Sequence, residues 1–402
     1  MFKKNDFFKD YSQNSKKFGK NLKITKKLFI KLKSDIKNFK IPLLQSFEKN
    51  YILDFSSKTI KNFSKYKNIV LIGMGGSTLG TKCIYSFFKG KIVKEVFFFD
   101  NLDENLFLEF IKIKKIKNSC FIVVSKSGET LETIVNLNLI FSKFSLKNKL
   151  IFITEIKDSN MLNIANKLNA EIIEHKNFIG GRYSVLSEAG MFPAALMGLN
   201  ITKFKNLSKL IDDKKFTSSL IQNVASIYTL NNEGIKNSII LNYESSLEGL
   251  AHWYIQLASE SLGKNRKGLT TTISNCPKDH HSTMQLYLDG PKDKFFTFLS
   301  SSSNGKNLKL PPNVLINNIS FLKKKKMKFI INAQSNAAKK VFKTKKIPFR
   351  QIDLRKKNEE ELGMIFTFFV LETILLARLM KVNPFNQPAV DQIKIETKKI
   401  LT

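Results

Sequence analysis

The sequence predicts an α/β fold made of two tandem three-layer αβα sandwich domains with mostly parallel sheets. From residue 68 onward, short apolar runs alternate with helix-like patterns. The runs are apolar throughout, which is typical of strands that helices cover on both faces. A second series of such runs begins near residue 237, and no Gly/Ser-rich or Pro-rich linker separates the two series. With 402 residues, the chain is long enough for two domains with substantial cores.

The apolar runs set the expected strands and domain limits. In the first series, strands are expected at residues 68–73, 94–100, 120–125, 149–154 and 170–175. In the second series, they are expected at residues 237–243, 269–274, 295–300, 328–333 and 348–353. The expected domains are an N-terminal helical segment at residues 1–47, a first domain at 48–197, and a second domain with a C-terminal helix at 198–402.

Two long helices are expected in the second domain, at residues 246–260 and 358–380. The latter begins with Asn358 and Glu361, which are spaced as in a capping box. Its apolar stretch resembles a membrane span in length, but it contains Glu372 and Arg378. Because charged side chains are costly inside a bilayer, we expect a buried core or subunit-interface helix.

The formal charge of +34 raises the possibility of a nucleic-acid-binding protein. Only five of the 67 basic residues are arginines, however, and arginine is the residue that clamps phosphates and reads bases in bidentate fashion. We therefore interpret the excess as lysine on solvated faces and expect neither nucleic acid nor membrane as a partner. A positive field would still attract small anionic substrates.

The cysteines and the N-terminus bear on localisation. Cys83, Cys120 and Cys276 are far apart and odd in number, so they form neither a disulfide framework nor a metal site. The first 20 residues contain charges but no continuous apolar stretch of the kind that signal peptides have. A reducing, cytoplasmic location is expected.

A glycine-rich loop, GMGGSTLG at residues 73–80, follows the first predicted strand and opens a helix. Glycines allow close approach of the backbone to a ligand, and the helix N-terminus favours an anion. The same pattern is close to a dinucleotide-binding fingerprint. Asp100, at the end of the next strand, could serve as its acidic residue, so this alternative stays open at this loop.

A second loop, SKSGETLET at residues 125–133, ends the strand at 120–125. Ser125, Ser127 and Thr130 surround the turn just before a helix. Their hydroxyls and the neighbouring amides can donate to the three oxygens of a phosphate monoester without a metal. A helix N-cap would account for one or two of these hydroxyls, but not for the set.

These two loops together resemble the sugar isomerase domain. Two further stretches, IGGRYSVLSEAG at residues 179–190 and ESLGK at 260–264, are similar to signatures of the phosphoglucose isomerase family. The resemblance covers roughly residues 50–400 and consists of four motifs in the same order. It implies tandem sugar isomerase domains, conversion of glucose 6-phosphate to fructose 6-phosphate, and no cofactor or metal.

The resemblance also implies a role for individual residues. Isomerisation needs a base that carries a proton between C1 and C2, and a carboxylate in a partly dry pocket suits this task. The base would be Glu260, with Gln256 one helical turn before it, and Arg182 would stabilise the enediolate. Further residues expected to bind the substrate are Gly76, Ser77, Ser125, Lys126, Ser127, Thr130 and Gly181.

Ring opening requires further proton donors and acceptors. His280 and His281 are adjacent, and neighbours rarely face the same site. Alignment with the family motif D-x-H-S makes His281 the ring-opening residue, contributed across the interface of a homodimer. The stretch at residues 383–394 resembles the family's C-terminal motif, which implies that Lys394 assists ring opening and that Gln387 lines the pocket. A metal site at the histidine pair would lack a third ligand.

Three alternative functions are also compatible with the sequence. A dual glucose/mannose 6-phosphate isomerase would share these motifs and differ in contacts near Gln256. A non-catalytic sugar-phosphate sensor would keep the phosphate loops but would not need Glu260, His281 and Lys394 together. A nucleic-acid-binding protein is suggested by the net charge alone.

Overall fold

The computed structural model describes residues 15–112, 117–146, 148–302, 308–311 and 317–402. Within these residues the chain forms two sheets whose strand pairs are all parallel. Alternate residues of the strands enter separate apolar clusters on opposite faces of each sheet. The predicted α/β class with two parallel-sheet domains is therefore confirmed.

The first sheet has five strands within the described residues, in the order β2-β1-β3-β4-β5. They are β1 (Asn68–Gly73), β2 (Glu95–Phe99), β3 (Ser119–Val124), β4 (Leu150–Thr154) and β5 (Glu171–Glu174). All residues of β1, β3 and β4 are buried, as their continuous apolar sequences predict. The five strands expected in this half of the chain are confirmed to within a residue at either end.

The second sheet, again counted over the described residues, has four strands in the order β7-β6-β8-β9. They are β6 (Asn237–Asn242), β7 (Thr270–Asn275), β8 (Lys294–Ser301) and β9 (Phe349–Leu354). Four of the five strands predicted in this half are confirmed.

Helices cover the sheets and connect the strands. The α-helices of the described residues are α1 (Lys16–Lys37), α2 (Ser57–Ser64), α3 (Gly76–Phe88), α4 (Glu104–Ile111), α5 (Leu131–Lys143), α6 (Asn160–Lys167), α7 (Glu188–Leu196), α8 (Leu207–Asp212), α9 (Lys214–Asn232), α10 (Glu248–Leu262), α11 (Met284–Asp289), α12 (Met327–Thr344), α13 (Glu359–Met380) and α14 (Ala389–Leu401). Short 3₁₀ turns lie at Pro42–Phe47, Gly181–Leu186, Ile201–Phe204, Ser245–Leu247, Lys278–His281 and Asn317–Leu322.

The strand predicted at residues 328–333 is wrong, because these residues belong to helix α12. The apolar run there is only three residues long, and so short a run does not distinguish a strand from a helix. Downstream, Ala337, Ala338, Lys339 and Lys340 are good helix formers and extend the helix.

The N-terminal segment was expected to be helical over residues 1–47. Its described part contains α1 and a 3₁₀ turn, whereas residues 1–14 lie outside the described residues. Helix α1 buries Phe29 and Leu32 and lies against α9, where the Asn21 side chain donates to Thr229 Oγ1 at 2.9 Å.

Helix α13 is a core helix. Asn358 caps it by accepting from the Glu361 N–H at 3.0 Å, while the Glu361 carboxylate accepts from the Arg355 N–H instead of completing the capping box. By length and composition α13 could cross a membrane, but 89% of its most apolar window is buried inside the protein. This agrees with the expected core helix.

Helix α10 is fixed from two sides. It crosses α3 closely at Gly249, where a Cβ would lie 2.8 Å from the Cα of Cys83. On its other side, the Tyr254 hydroxyl donates to Glu372 Oε1 at 2.7 Å, and Glu372 pairs with the fully buried Arg350 at 2.6 Å. These contacts fix the start and the middle of α10, which contains Gln256 and Glu260 further along.

Candidate active site

The first sheet reverses its strand order between β1 and β3. The chain pairs β2 with one side of β1 and later returns to place β3 on the other side. In open parallel sheets, loops that leave such neighbouring strands diverge and leave a crevice at the carboxyl ends. The two loops predicted to bind phosphate, which start at residues 73 and 125, follow β1 and β3 and flank this crevice.

The loop at residues 125–130 turns from β3 into α5. Ser125 Oγ lies 3.0 Å from Thr130 Oγ1, and Ser127 Oγ accepts a hydrogen bond from the Glu129 N–H at 3.2 Å. Thr130 occupies the N-cap position of α5 but makes no side-chain capping bond. The hydroxyls are therefore not used to cap the helix, whose N-terminus favours an anion.

A segment after β4 braces this loop from behind. The Lys126 carbonyl accepts from the Glu155 N–H at 3.2 Å, and the Gly128 carbonyl accepts from the Met161 N–H at 3.0 Å. The Lys126 ammonium donates to the Asn177 carbonyl at 2.7 Å and lies 3.6 Å from Glu155, and burial lowers its pKa. The first of these bonds holds the Lys126 carbonyl towards the segment after β4. Because the N–H of a trans peptide points opposite to its carbonyl, the Ser127 N–H points away from that segment.

The glycine loop touches two other parts of the site. A Cβ on Gly76 would lie 2.2 Å from the carbonyl carbon of Gly181, so the backbones meet directly there. Gly75 has a φ of +54°, and a Cβ on it would lie 2.8 Å from Gln256 Nε2. Ser77 follows as a half-buried residue in the first turn of α3.

Arg182 is the most highly connected side chain of the site and is only 3% exposed. All five N–H donors of a guanidinium find acceptors here. The acceptors are Ser261 Oγ at 2.9 Å from Nε, Glu260 Oε2 at 3.1 Å and Gln387 Oε1 at 2.6 Å from one terminal nitrogen, and the carbonyls of Pro384 and Asn386 for the other. Arg182 thus connects α10 to the segment that precedes α14.

The Glu260 carboxylate is held at both oxygens. Oε2 accepts from Arg182, and Oε1 accepts from Gln256 Nε2 at 2.9 Å. The Glu260 side chain is 26% exposed to solvent. A fixed and partly accessible carboxylate beside the glycine loop can accept a proton from a ligand bound in the crevice.

Lys264 lies at the C-terminal end of α10. Its ammonium donates to the carbonyls of Glu260 at 2.7 Å and Ser261 at 3.0 Å, a favourable place for a cation at a helix end. Partial burial and the nearby Arg182 lower the pKa of Lys264 to about 8, against the opposing effect of Glu260.

His281 makes none of the hydrogen bonds that hold the Glu260 carboxylate. It is exposed in the 3₁₀ turn Lys278–His281, after edge strand β7. Its neighbour His280 instead lies 2.6 Å from the Tyr243 hydroxyl, and burial together with the adjacent His281 lowers the pKa of His280. The two histidines therefore have different surroundings, as their adjacency in sequence suggests.

Lys394 also lies outside the cluster around Arg182. It belongs to α14, where its side chain is 68% exposed and pairs with Asp391 Oδ1 at 3.2 Å. Helix α14 has no buried residue. Of the predicted C-terminal pair, the structure brings Gln387 to the site and leaves Lys394 at the surface.

Asp100, the acidic residue of the dinucleotide alternative, already has partners. Its carboxylate pairs with Lys82 and lies 3.4 Å from the Thr78 hydroxyl. In the part of the chain that the structure describes, no three His, Cys, Asp or Glu side chains are grouped so that they could hold a metal ion.

Several residues of the site were not singled out from the sequence. Ser261 and Lys264 lie inside the ESLGK motif, and Tyr183 follows Arg182, but no role was assigned to them. The signal was present in the motif, because a hydroxyl next to the candidate base needs a hydrogen-bond partner if it is buried. The partners themselves lie almost 80 residues away and follow only from the folded chain.

Gly76→Ala tests the contact between the glycine loop and Gly181. Because the added methyl would overlap backbone atoms, we expect the free energy of unfolding to fall by about 1–3 kcal/mol in urea titrations. The matched control is Gly90→Ala, where a Cβ would meet no atom within 4 Å. The control should change the free energy by less than about 0.5 kcal/mol. Equal effects of the two substitutions would contradict the proposed close contact.

His175 gives a pH-dependent prediction. It follows β5, is 1% exposed, and burial lowers its pKa to about 4 from the ordinary 6.5. Since the unfolded chain binds the proton more tightly, stability is complete above pH 6.5 and is lost as the pH falls towards 4. The loss at pH 5 should be about 2 kcal/mol relative to pH 7.

Urea unfolding at pH 7 and pH 5 measures this effect. In His175→Gln the difference between the two pH values should shrink by that amount, while His252→Gln should keep it. His252 is the control because its side chain is 49% exposed. An unchanged pH dependence in His175→Gln would show that the histidine is not held neutral.

Sequence comparison assigns these loops to a family. The profile named "Phosphoglucose isomerase" matches residues 44–287. A glucose-6-phosphate isomerase of Methanocaldococcus jannaschii is 32% identical over 356 residues, which cover 86% of this chain and 87% of the relative. Another, from Campylobacter jejuni, is 29% identical over 365 residues, which cover 87% of this chain and 89% of the relative.

Solved structures share the fold. A hypothetical protein of Thermus thermophilus has a TM-score of 0.84 at 21% identity, over 98% of this chain and 99% of the other. A glucose-6-phosphate isomerase of Chlamydia trachomatis has a TM-score of 0.71 at 20% identity, over 86% of this chain and 72% of the other. The resemblance inferred from the loops is confirmed, and the chain belongs to the phosphoglucose isomerase family.

Proposed function

We propose that the protein interconverts glucose 6-phosphate and fructose 6-phosphate by opening the sugar ring and moving a proton between C1 and C2. Membership of the family supports the isomerase reaction. The observation that carries the proposal is the Glu260 carboxylate, held by Gln256 and Arg182 beside the glycine loop. A fixed base next to a phosphate-binding crevice is what isomerisation of a sugar phosphate requires.

The phosphoryl group binds the hydroxyls of Ser77, Ser125, Ser127 and Thr130. Backbone N–H groups at the start of α5 and around Gly76 and Lys126 add further donors. Support comes from the position of both loops at the switch point of the sheet and from the uncapped start of α5.

Glu260 transfers the proton. It takes the proton from C2 of the open aldose, and the electron pair of that C–H bond forms the C1–C2 double bond while the aldehyde oxygen becomes negative. The proton of the C2 hydroxyl passes to O1. Glu260 then gives its proton to C1, and the negative oxygen on C2 forms the ketone. The buried guanidinium of Arg182 stabilises the enediolate, where the negative charge develops, and Gln387 and Gly181 line the same pocket.

Ring opening is assigned to His281 and Lys394. Neither side chain contacts Glu260 within one chain, so we propose a homodimer in which His281 enters the site from the partner subunit. Helix α14 supports association, because several of its apolar side chains are exposed. The exposed residues are Val390, Ile393, Ile395, Ile400 and Leu401.

A reducing, cytoplasmic location fits the three cysteines, which are buried and free. A sugar-phosphate sensor would need the phosphate loops but not the carboxylate that Arg182 and Gln256 orient. Turnover of mannose 6-phosphate, measured beside that of glucose 6-phosphate, decides whether the enzyme also acts on the C2 epimer.

Glu260→Gln tests the base. Glutamine preserves the size and the acceptor for Arg182 but cannot take the proton, so kcat should fall by about 10²–10⁴-fold while KM changes little. A coupled assay with fructose 6-phosphate measures both parameters. Glu233→Gln, an exposed carboxylate at the end of α9, is the control and should keep the wild-type rate. Comparable turnover in the two variants would remove Glu260 from the mechanism.

Mixing two inactive variants tests the shared site. If His281 acts across a dimer, a heterodimer of Glu260→Gln and His281→Ala chains contains one site with both residues intact. Random exchange of subunits at equal concentrations should then restore about a quarter of the wild-type activity. If His281 acted within its own chain, the mixture would stay as inactive as its components.

A further inference from the structure

We propose that Ser261 and Tyr183 are positioning residues, which form a directed hydrogen-bond chain from Arg182 to the segment before α14. The proposal rests on the function above and extends it, since it names the groups that keep Arg182 aimed at Glu260. The chain joins three parts of the fold that each contribute to the site: the turn Gly181–Leu186, helix α10, and the segment at residues 384–387.

The chemistry of the donors fixes the direction of this chain. Arg182 can only donate, so its Nε–H gives a hydrogen bond to Ser261 Oγ at 2.9 Å. At the other end, the Pro384 carbonyl can only accept, so the Tyr183 hydroxyl donates to it at 2.9 Å. The 3.0 Å contact between Ser261 and Tyr183 must then run from the serine hydroxyl to the phenol oxygen. Each member of this hydrogen-bond chain therefore donates in one direction only.

Burial makes this arrangement sensitive to the loss of one member. Ser261 and Tyr183 are each 0% exposed and Arg182 is 3% exposed, so water has little access to replace a missing hydroxyl. Burial also raises the pKa of Tyr183, which keeps the phenol protonated as a donor.

The hydrogen-bond chain fixes the orientation of the planar Arg182 guanidinium. Ser261 holds Nε, and the carbonyls of Pro384 and Asn386 hold one terminal nitrogen. Because the group is planar, these bonds direct the remaining nitrogen towards Glu260 and Gln387. Tyr183 supports the same segment, since its ring lies 6.0 Å from that of Phe385. The result is a fixed distance between the charge that stabilises the enediolate and the base that forms it.

Ser261→Ala and Tyr183→Phe remove the two hydroxyls one at a time. Steady-state kinetics should show a fall in kcat of about tenfold in Ser261→Ala and severalfold in Tyr183→Phe, because small displacements of catalytic groups are costly. The affinity for a sugar-acid phosphate whose carboxylate imitates the enediolate should fall by the same factors. Inhibition by inorganic phosphate, which probes the other end of the site, should change by less than about twofold.

The double variant tests whether the two hydroxyls act as one chain. Breaking a chain twice costs little more than breaking it once, so the double variant should be no worse than Ser261→Ala by more than about twofold. Tyr66→Phe is the matched control, since its hydroxyl also donates to a carbonyl, that of Asn148 at 3.0 Å, but at the surface. It should keep wild-type kinetics.

The outcomes separate this proposal from the one on which it rests. A wild-type protein without isomerase activity would overturn both. An active wild type with unchanged kcat in Ser261→Ala and Tyr183→Phe would overturn the positioning chain alone. Equal losses in phosphate inhibition and in kcat would indicate a merely structural role and would also overturn it. If Ser261→Ala fails to fold, Tyr183→Phe, which keeps the whole ring, decides the matter.

Discussion

The buried guanidinium of Arg182 is the interaction on which the candidate site depends. A charge this far from water is tolerated only when its donors are matched, and here each of the five N–H groups has an acceptor. Its acceptors come from α10 and from the segment before α14, whereas Arg182 itself lies in the turn that touches Gly76. One side chain therefore determines how three separate parts of the sequence meet.

Helix α10 is also tied to a second buried arginine, Arg350, through Tyr254 and Glu372. Arg350 and Glu372 form an ion pair that is 0% exposed, and Thr297, Asn223 and the Tyr254 hydroxyl supply further hydrogen bonds. Buried ion pairs do not necessarily stabilise a fold, but they define its geometry, because a displaced partner leaves an unpaired charge. Together with the contacts of Arg182 at Glu260 and Ser261, this pair fixes α10 both at its middle and near its C-terminal end.

The sequence predicted the features that neighbouring residues determine, but not the contacts between residues that are far apart in the sequence. The strand at 68–73 and the loop at 125–130 were predictable, because a continuous apolar run followed by glycines and hydroxyls determines structure locally. The strand expected at 328–333 was wrong, because its apolar run is only three residues long and does not outweigh the helix-forming residues that follow it. The contacts of Arg182 with residues 384–387 join positions about 200 apart in sequence, and no local pattern encodes them. His281 and Lys394 are both exposed in this chain, and no local pattern encodes the subunit contact proposed for His281.

The charges of the site are matched to an anionic substrate rather than to the free protein. Burial lowers the pKa of Lys126, and burial together with Arg182 lowers that of Lys264 to about 8, so these effects outweigh the carbonyl contacts of both ammonium groups. Glu155 opposes the effect on Lys126, and Glu260 opposes the effect on Lys264. In the proposed reaction a phosphate ester brings two further negative charges into the crevice, and the charge of Glu260 passes to the substrate when the proton is transferred. Each of these charges favours the protonated lysines and interacts with Arg182. In this reaction the cations are therefore offset when the phosphate ester binds, and Arg182 remains beside the negative charge as it moves from Glu260 to the substrate.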